Sequence, residues 1–185
     1  MTALPPDSII GTLGSEFSFH DILRRKIYSH LSVRYFNEFE NIFDAVSNGE
    51  IDYGLIALSN TIHGSVDDNQ RKIAELNLVI LETHDLPISL HLAAKSSLDP
   101  HQIEKIYAHP VAMNECQAFF KDLKVIHIPS KSNSHALIDL KLSDGENNAA
   151  ISGREAIKNL EVILISESIH DSEPNITTFG LVSKK

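Results

Sequence analysis

Tyr53-Gly54-Leu55-Ile56-Ala57-Leu58 runs directly into Ser59-Asn60-Thr61-Ile62-His63-Gly64-Ser65. The first six residues carry no charge and no break, and read as a strand over 53–58 buried on both faces. The next seven are mostly small and polar and read as a turn. A helix flanks this unit on each side. Upstream, Phe39, Ile42, Phe43 and Val46 share one face of a predicted helix over 38–47, which Gly49 ends where a left-handed residue is needed. Downstream, 66–76 is amphipathic. Helix, buried strand, polar turn and helix in succession are the pattern of βαβ units, so the class is α/β with a parallel or mixed sheet.

The same alternation extends to both ends. Strands are predicted at 8–13 and 32–36, with the turn Gly14-Ser15 and a helix over 18–29 between them. The stretch 79–94 is long and extended, interrupted by Pro87, with Ile88, Leu90 and Leu92 alternating beyond it; such a segment suits a crossing between two lobes. Further strands are predicted at 105–108, 125–128, 149–152, 162–166 and 176–182, and helices at 110–123, 132–142 and 154–160. Pro110 fits a first helical turn. The expected division is 8–80 plus 167–185 for one lobe and 81–166 for the other, with 1–7 a flexible N-terminus.

Length and composition narrow the function. A chain of 185 residues with 42% hydrophobic residues can bury a core without disulfides or metals, and its single Cys116 allows no internal disulfide. The start lacks the basic and apolar regions of a signal peptide, and no apolar run approaches the roughly 20 residues that span a bilayer, so a cytoplasmic protein with no membrane partner is expected. A net charge of −9 disfavours nucleic acid. The basic cluster Arg24-Arg25-Lys26 reads as one solvated helix face. No metal is expected: Glu82, His84 and Asp85 lie close together, but no second cluster with ligand spacing accompanies them. The ten histidines are scattered and read as surface or capping residues.

Three polar turns each follow a predicted strand: Gly11-Thr12-Leu13-Gly14-Ser15, 59–65, and Ser130-Lys131-Ser132-Asn133-Ser134. In open α/β sheets ligands bind beyond the carboxyl ends of strands, where helix N-termini offer free N–H groups to anions. A small anionic ligand is the reading the three turns favour together; each taken singly also reads as a set of helix caps. Cys116, inside the predicted 110–123 helix, reads as a small core residue.

In order along the chain these segments resemble the prephenate dehydratase family. Gly11 to Ser18 resembles its G-P-x-G-[TS]-[FY]-S turn, and Gly54 to Val66 its G-x-x-x-[IL]-E-N-S-x-x-G-S-V signature. His109-Pro110 with Cys116 is similar to S-H-P-Q-A-L-x-Q-C, Ser132-Asn133-Ser134-His135-Ala136 to S-T-A-x-A, 149–153 to A-A-I-A-S, and Asn175-Ile176-Thr177-Thr178-Phe179 to N-x-T-R-F. The resemblance implies a two-lobed fold of the type 2 periplasmic-binding-protein kind with substrate in the interlobe cleft, conversion of prephenate to phenylpyruvate with loss of carbon dioxide and water, no cofactor, and a homodimer. It implies Thr177 as the acid partner of the leaving hydroxyl, and Ser59, Asn60, Thr61, Gly64, Ser65, Gly14, Ser15, Ser132, His109, Thr178 and Phe179 as the substrate-binding set.

This chain departs from the family at polar positions. Ser59 stands for glutamate, Thr178 for arginine, and Val111 and Glu115 for two glutamines. The first two changes together are neutral in charge, which suits an ion pair deleted as a unit, since removing one partner strands the other. Two further functions are kept open: a prephenate decarboxylase that retains the ring hydroxyl, and a non-catalytic domain that senses a small acid. Family members commonly carry a C-terminal phenylalanine-binding ACT domain, whereas this sequence ends shortly after Phe179, so no phenylalanine site outside the cleft is expected.

Overall fold

The apolar run that begins at Tyr53 becomes β3, Tyr53–Asn60, at the middle of a mixed sheet. The computed structural model describes residues 4–185, and the chain divides into two units, each with its own sheet. In the first unit, β1 (Ile9–Leu13) and β2 (Ser32–Phe36) lie parallel to β3, and β4 (Gly64–Ser65) folds back on the end of β3. The last strand, called β11 because it ends the chain (Ile176–Ser183), runs antiparallel to β3 and separates it from β5 (Val79–Pro87), giving the order β2-β1-β3-β11-β5.

Helices cover both faces of this sheet. A Cβ on Gly54 would meet Ile42 and Val46 of α2 (Phe39–Asn48) and Val182 of β11, so these residues mark one face. Gly49 ends α2 at φ 75°, as the sequence requires. The cluster of Ile42, Phe43, Val46, Ile56, Leu58, Ile73 and Val182, with α3 (Asp67–Glu75), fills that side. Strand alternation puts Phe179 and Leu181 on the opposite side. There α1 (Phe19–Ile27) packs, its His20 against Phe179 and Tyr28, just beyond its end, against His84.

The basic cluster on α1 is solvated at Arg25 and Lys26 but not at Arg24, which is buried. Asp21 is fully buried, and Arg24, itself 7% exposed, approaches it at 2.6 Å, with Arg25 at 2.7 Å and the Tyr35 hydroxyl donating at 3.0 Å. A carboxylate this deep is tolerated because three donors surround it.

The second unit comprises residues 16–18 and 88–173. Its sheet has the order β10-β6-β9-β7-β8, from β6 (His91–Ala94), β7 (Lys105–Ala108), β8 (Ile126–Pro129), β9 (Asn148–Ser152) and β10 (Ile163–Ser166). Every residue of β9 is buried, as befits a central strand. Ala93, Ala136, Leu137, Leu140, Ala150 and Ile157 form its core, with α6 (Asn133–Leu142) and α7 (Arg154–Asn159), and Phe17 packs onto this cluster.

Two expectations change. The extended stretch 79–94 is two strands in different sheets, so residues 81–87 pair with β11 in the first unit and 167–173 belong to the second. The 110–123 helix is two short ones, α4 (Pro110–Asn114) and α5 (Gln117–Phe120), with Glu115 and Cys116 at the break. Asp171 makes that break: both its carboxylate oxygens accept from the Ala118 N–H, at 3.0 and 3.1 Å, capping α5 from a distant loop. Cys116 is buried there, and burial pushes its thiol well above the ordinary range. Of the N-terminus expected over 1–7, residues 1–3 lie outside the described residues.

Candidate active site

Asn60 ends β3 and organises the polar end of the first unit. Its Oδ1 accepts from the backbone N–H of Ile62 at 2.8 Å and of His63 at 3.2 Å, a local turn that Asn favours and that bends the chain into β4. Two N–H donors on one side fix the amide's orientation, so Nδ2 faces the other way. There it donates to Asn175 Oδ1 at 2.8 Å and to Thr177 Oγ1 at 3.0 Å. The register explains the meeting, because Asn60 and Thr177 are directly opposed on β3 and β11.

The direction of these bonds has a chemical consequence. Thr177 Oγ1 accepts from Asn60, which leaves the hydroxyl hydrogen of Thr177 to be donated elsewhere. Asn60 itself has every polar atom engaged, so it positions Thr177 rather than offering a free donor. Thr61 is likewise engaged: its hydroxyl donates to the Pro174 carbonyl at 2.5 Å and accepts from the Ile176 N–H at 2.9 Å, which ties the 59–65 turn to the start of β11. Asn175, 2% exposed, belongs to this network, although the sequence alone assigns it no role. Its place in the N-x-T motif, two residues before Thr177, is the available signal.

Thr178 points away from this group. Neighbouring residues of a strand face opposite sides, so Thr178 lies on the face opposite Thr177, and its hydroxyl donates to Asp85 at 2.6 Å. Ser59 is its registered partner on β3, the adjacency that a charge-neutral double replacement requires. Restoring an arginine by Thr178→Arg is expected to set a guanidinium on Asp85, with unfolding free energy changed by no more than about 1 kcal/mol in chemical denaturation and the gain fading in high salt.

The remaining residues of the expected set fall in separate places. Gly14, at φ 89°, donates its N–H to the Phe36 carbonyl at the end of β2, and Ser15 follows it in the first unit. Gly64 is left-handed at φ 78°, and Ser65 accepts from Gln70 Nε2 at 2.9 Å. Phe179 is buried beside His20. Ser132 and His109 belong to the second unit, where both cap helices: Ser132 Oγ accepts from the His135 N–H at 3.2 Å, and His109 Nδ1 from the Val111 N–H at 3.3 Å. Burial lowers the His109 pKa, which suits an accepting nitrogen. Both sit beyond the carboxyl ends of the parallel strands β7 and β8, with Ser152 ending β9 alongside.

The Glu82-His84-Asp85 group divides between the two faces of the sheet. Tyr28 donates its hydroxyl hydrogen to Glu82 at 2.6 Å and has His84 Nε2 at 2.8 Å, and the Tyr28 bond holds the Glu82 carboxyl below its usual range. Asp85 is on the other face with Thr178. Among the described residues no group of three or more His, Cys, Asp or Glu side chains could hold a metal ion, and no helix is long and apolar enough to cross a membrane.

Known proteins place this fold. A prephenate dehydratase from Lactococcus lactis is 27% identical over 180 residues, covering 95% of this chain and 63% of that protein. The crystal structure of a prephenate dehydratase from Arthrobacter aurescens in complex with L-Phe has a TM-score of 0.84 at 21% identity, covering 96% of this chain and 60% of that one. A putative methionine-binding lipoprotein from Bacillus subtilis shares the architecture at a TM-score of 0.53 and 10% identity, over 97% of this chain and 84% of that one. The chain spans about two fifths to three fifths of the length of curated relatives it matches. The family model for prephenate dehydratase matches residues 10–185, and the chain belongs to that family.

Proposed function

We propose that this chain converts prephenate to phenylpyruvate, releasing carbon dioxide and water. The observation that carries the reading is the hydrogen-bond direction at Thr177: Asn60 donates to its oxygen, so its own O–H is the donor left for a ligand. In this reaction the C–C bond to the ring carboxylate breaks, its electron pair moves through the diene, and the C4–O bond breaks as the hydroxyl leaves. Oxygen becomes negative as it departs, and a donor aimed at it is what the step needs. A threonine is a weak acid, so its effect depends on geometry, and the Asn60 and Asn175 network supplies that rigidity. The family positions changed in this chain at 59 and 178 pair with each other across the sheet, on the face opposite Thr177, which is why their replacement is compatible with the same chemistry. Ser132 and His109 keep their expected assignment as substrate-binding residues, each capping a helix within the second unit. Incubation of the purified protein with prephenate, followed by detection of phenylpyruvate, tests the proposal; accumulation of a decarboxylated product that keeps its hydroxyl would support a decarboxylase instead, and unchanged prephenate would support a sensing domain.

A further inference from the structure

The chain passes between the units after Pro87 and again after Glu173, and within the second unit the two passages are fastened to each other. Leu90, 1% exposed, is the centre of the fastening. Its carbonyl accepts from the Ile169 N–H at 2.9 Å, and its own N–H donates to a side chain, His170 Nδ1, at 3.4 Å. The next residue returns the arrangement, because His91 Nδ1 accepts from the Ser168 N–H at 3.1 Å. Two imidazoles, one from each passage, thus take the amide hydrogens that carbonyls would take in a regular sheet.

Both rings are withdrawn from water: His91 is 3% exposed, and the His170 side chain 2%. An imidazole nitrogen that accepts carries no hydrogen, so each ring is neutral with its hydrogen on Nε2. His170 fits this tautomer, since its Nε2 lies 2.6 Å from the acceptor Glu173 Oε1. His91 is faced by Arg154 and Glu167, themselves 2.6 Å apart, and by His170; His170 is faced by Glu173, while the adjacent Asp171 turns to the Ala118 N–H. Arg154 and Glu167 act on His91 in opposite directions, and burial is the largest influence, lowering its pKa. Ser168 is held at φ 49°, in the left-handed region, which a residue other than glycine keeps only where its surroundings impose it. The bond from its N–H to His91 is one such constraint.

We propose that His91 and His170 form an acid-released clasp: a proton taken up at Nδ1 turns the acceptor into a donor that faces another donor, and the passage over 167–173 parts from 88–91. The inference stands apart from the dehydratase reading, because it uses none of the residues assigned there. Once the clasp opens, His91 regains the ordinary proton affinity of a histidine, 6.5, which the closed clasp denies it. Opening therefore becomes easier as pH falls below that value, and the effect levels off only when the lower pKa of the closed state is reached. Above the ordinary value the rings are neutral whether the clasp is open or closed, and pH has no influence on it.

Amide hydrogen exchange in the intact chain tests this at Ser168 and Ile169. With intrinsic exchange rates divided out, the opening constants of these amides in the wild type are expected to rise about tenfold between about pH 6.5 and about pH 5. Asparagine offers an oxygen close to where histidine carries Nδ1, and that oxygen does not titrate. In the double variant His91→Asn, His170→Asn the same constants are expected to change by less than about threefold over that range. Flat constants in the wild type overturn the inference, and so does a rise in the double variant as steep as that of the wild type. The ring nitrogen-15 resonances of the wild type at about pH 7.5 decide the matter without any substitution: hydrogen on Nε2 of both histidines supports the clasp, and hydrogen on Nδ1 of either overturns it.

Discussion

Asn60→Asp is expected to lower kcat/KM for prephenate by about a thousandfold while the protein remains folded. The substitution changes little in shape. One carboxylate oxygen continues to accept from the N–H groups of Ile62 and His63, so the bend from β3 into β4 persists. The other oxygen takes the place of Nδ2 beside Thr177 Oγ1, where an acceptor now stands instead of a donor. The Thr177 hydrogen turns toward that carboxylate and is withdrawn from the ligand. A stability loss of about 1–2 kcal/mol is expected as well, since the new oxygen also confronts Asn175 Oδ1. Asn60→Ala provides the contrast: it deletes all four bonds and is expected to lose stability and activity together. If Asn60→Asp keeps kcat/KM within about tenfold of wild type, donation by Thr177 is not what the reaction uses.

The second large effect is on acid stability. His20 has a pKa of about 3 in the folded chain against 6.5 as the ordinary value, with burial as the cause. Above the ordinary value the ring is neutral in both states and adds no pH dependence. As pH falls below it the unfolded chain takes up a proton that the folded chain refuses, so stability declines until the folded pKa is reached. The slope approaches about 1.4 kcal/mol per pH unit, which amounts to about 2.5 kcal/mol between roughly pH 6 and pH 4. Glu82 acts in the same direction, because its carboxyl is held below its usual range and its protonation also costs stability. Denaturation of wild type and His20→Phe across this range separates the two contributions: the curves are expected to diverge progressively with acidification, the variant falling less. Parallel curves would mean that His20 is protonated freely in the folded state.

Much of the architecture is legible in the sequence because it depends on local pattern. The uncharged run beginning at Tyr53, the apolar face Phe39, Ile42, Phe43 and Val46, and the stop at Gly49 each describe their own surroundings, and β3 and α2 form there. What is not legible depends on residues far apart in the chain. The interruption between α4 and α5 comes from Asp171, a cap 53 residues from its partner, and nothing between Pro110 and Phe120 announces it. Arg24 reads as surface because the depth of its partner Asp21 is set by tertiary packing of α1. In the candidate site, the motif letters point to Asn60 and Thr177, while the direction of the bond between them requires the register of β3 against β11. His20 reads in the sequence as a surface or capping histidine. Its importance lies in Phe179, a partner at the other end of the chain.

A pair of substitutions at one position probes the proposed chemistry most directly. Thr177→Val keeps the shape of the side chain and removes the hydroxyl, whereas Thr177→Ser keeps the hydroxyl and removes a methyl group. With prephenate as substrate and phenylpyruvate as the measured product, the serine variant is expected to retain kcat within about tenfold of wild type and the valine variant to lose about a thousandfold. Equal rates of phenylpyruvate formation in the valine variant and the wild type would contradict the assignment of the leaving-group donor to Thr177.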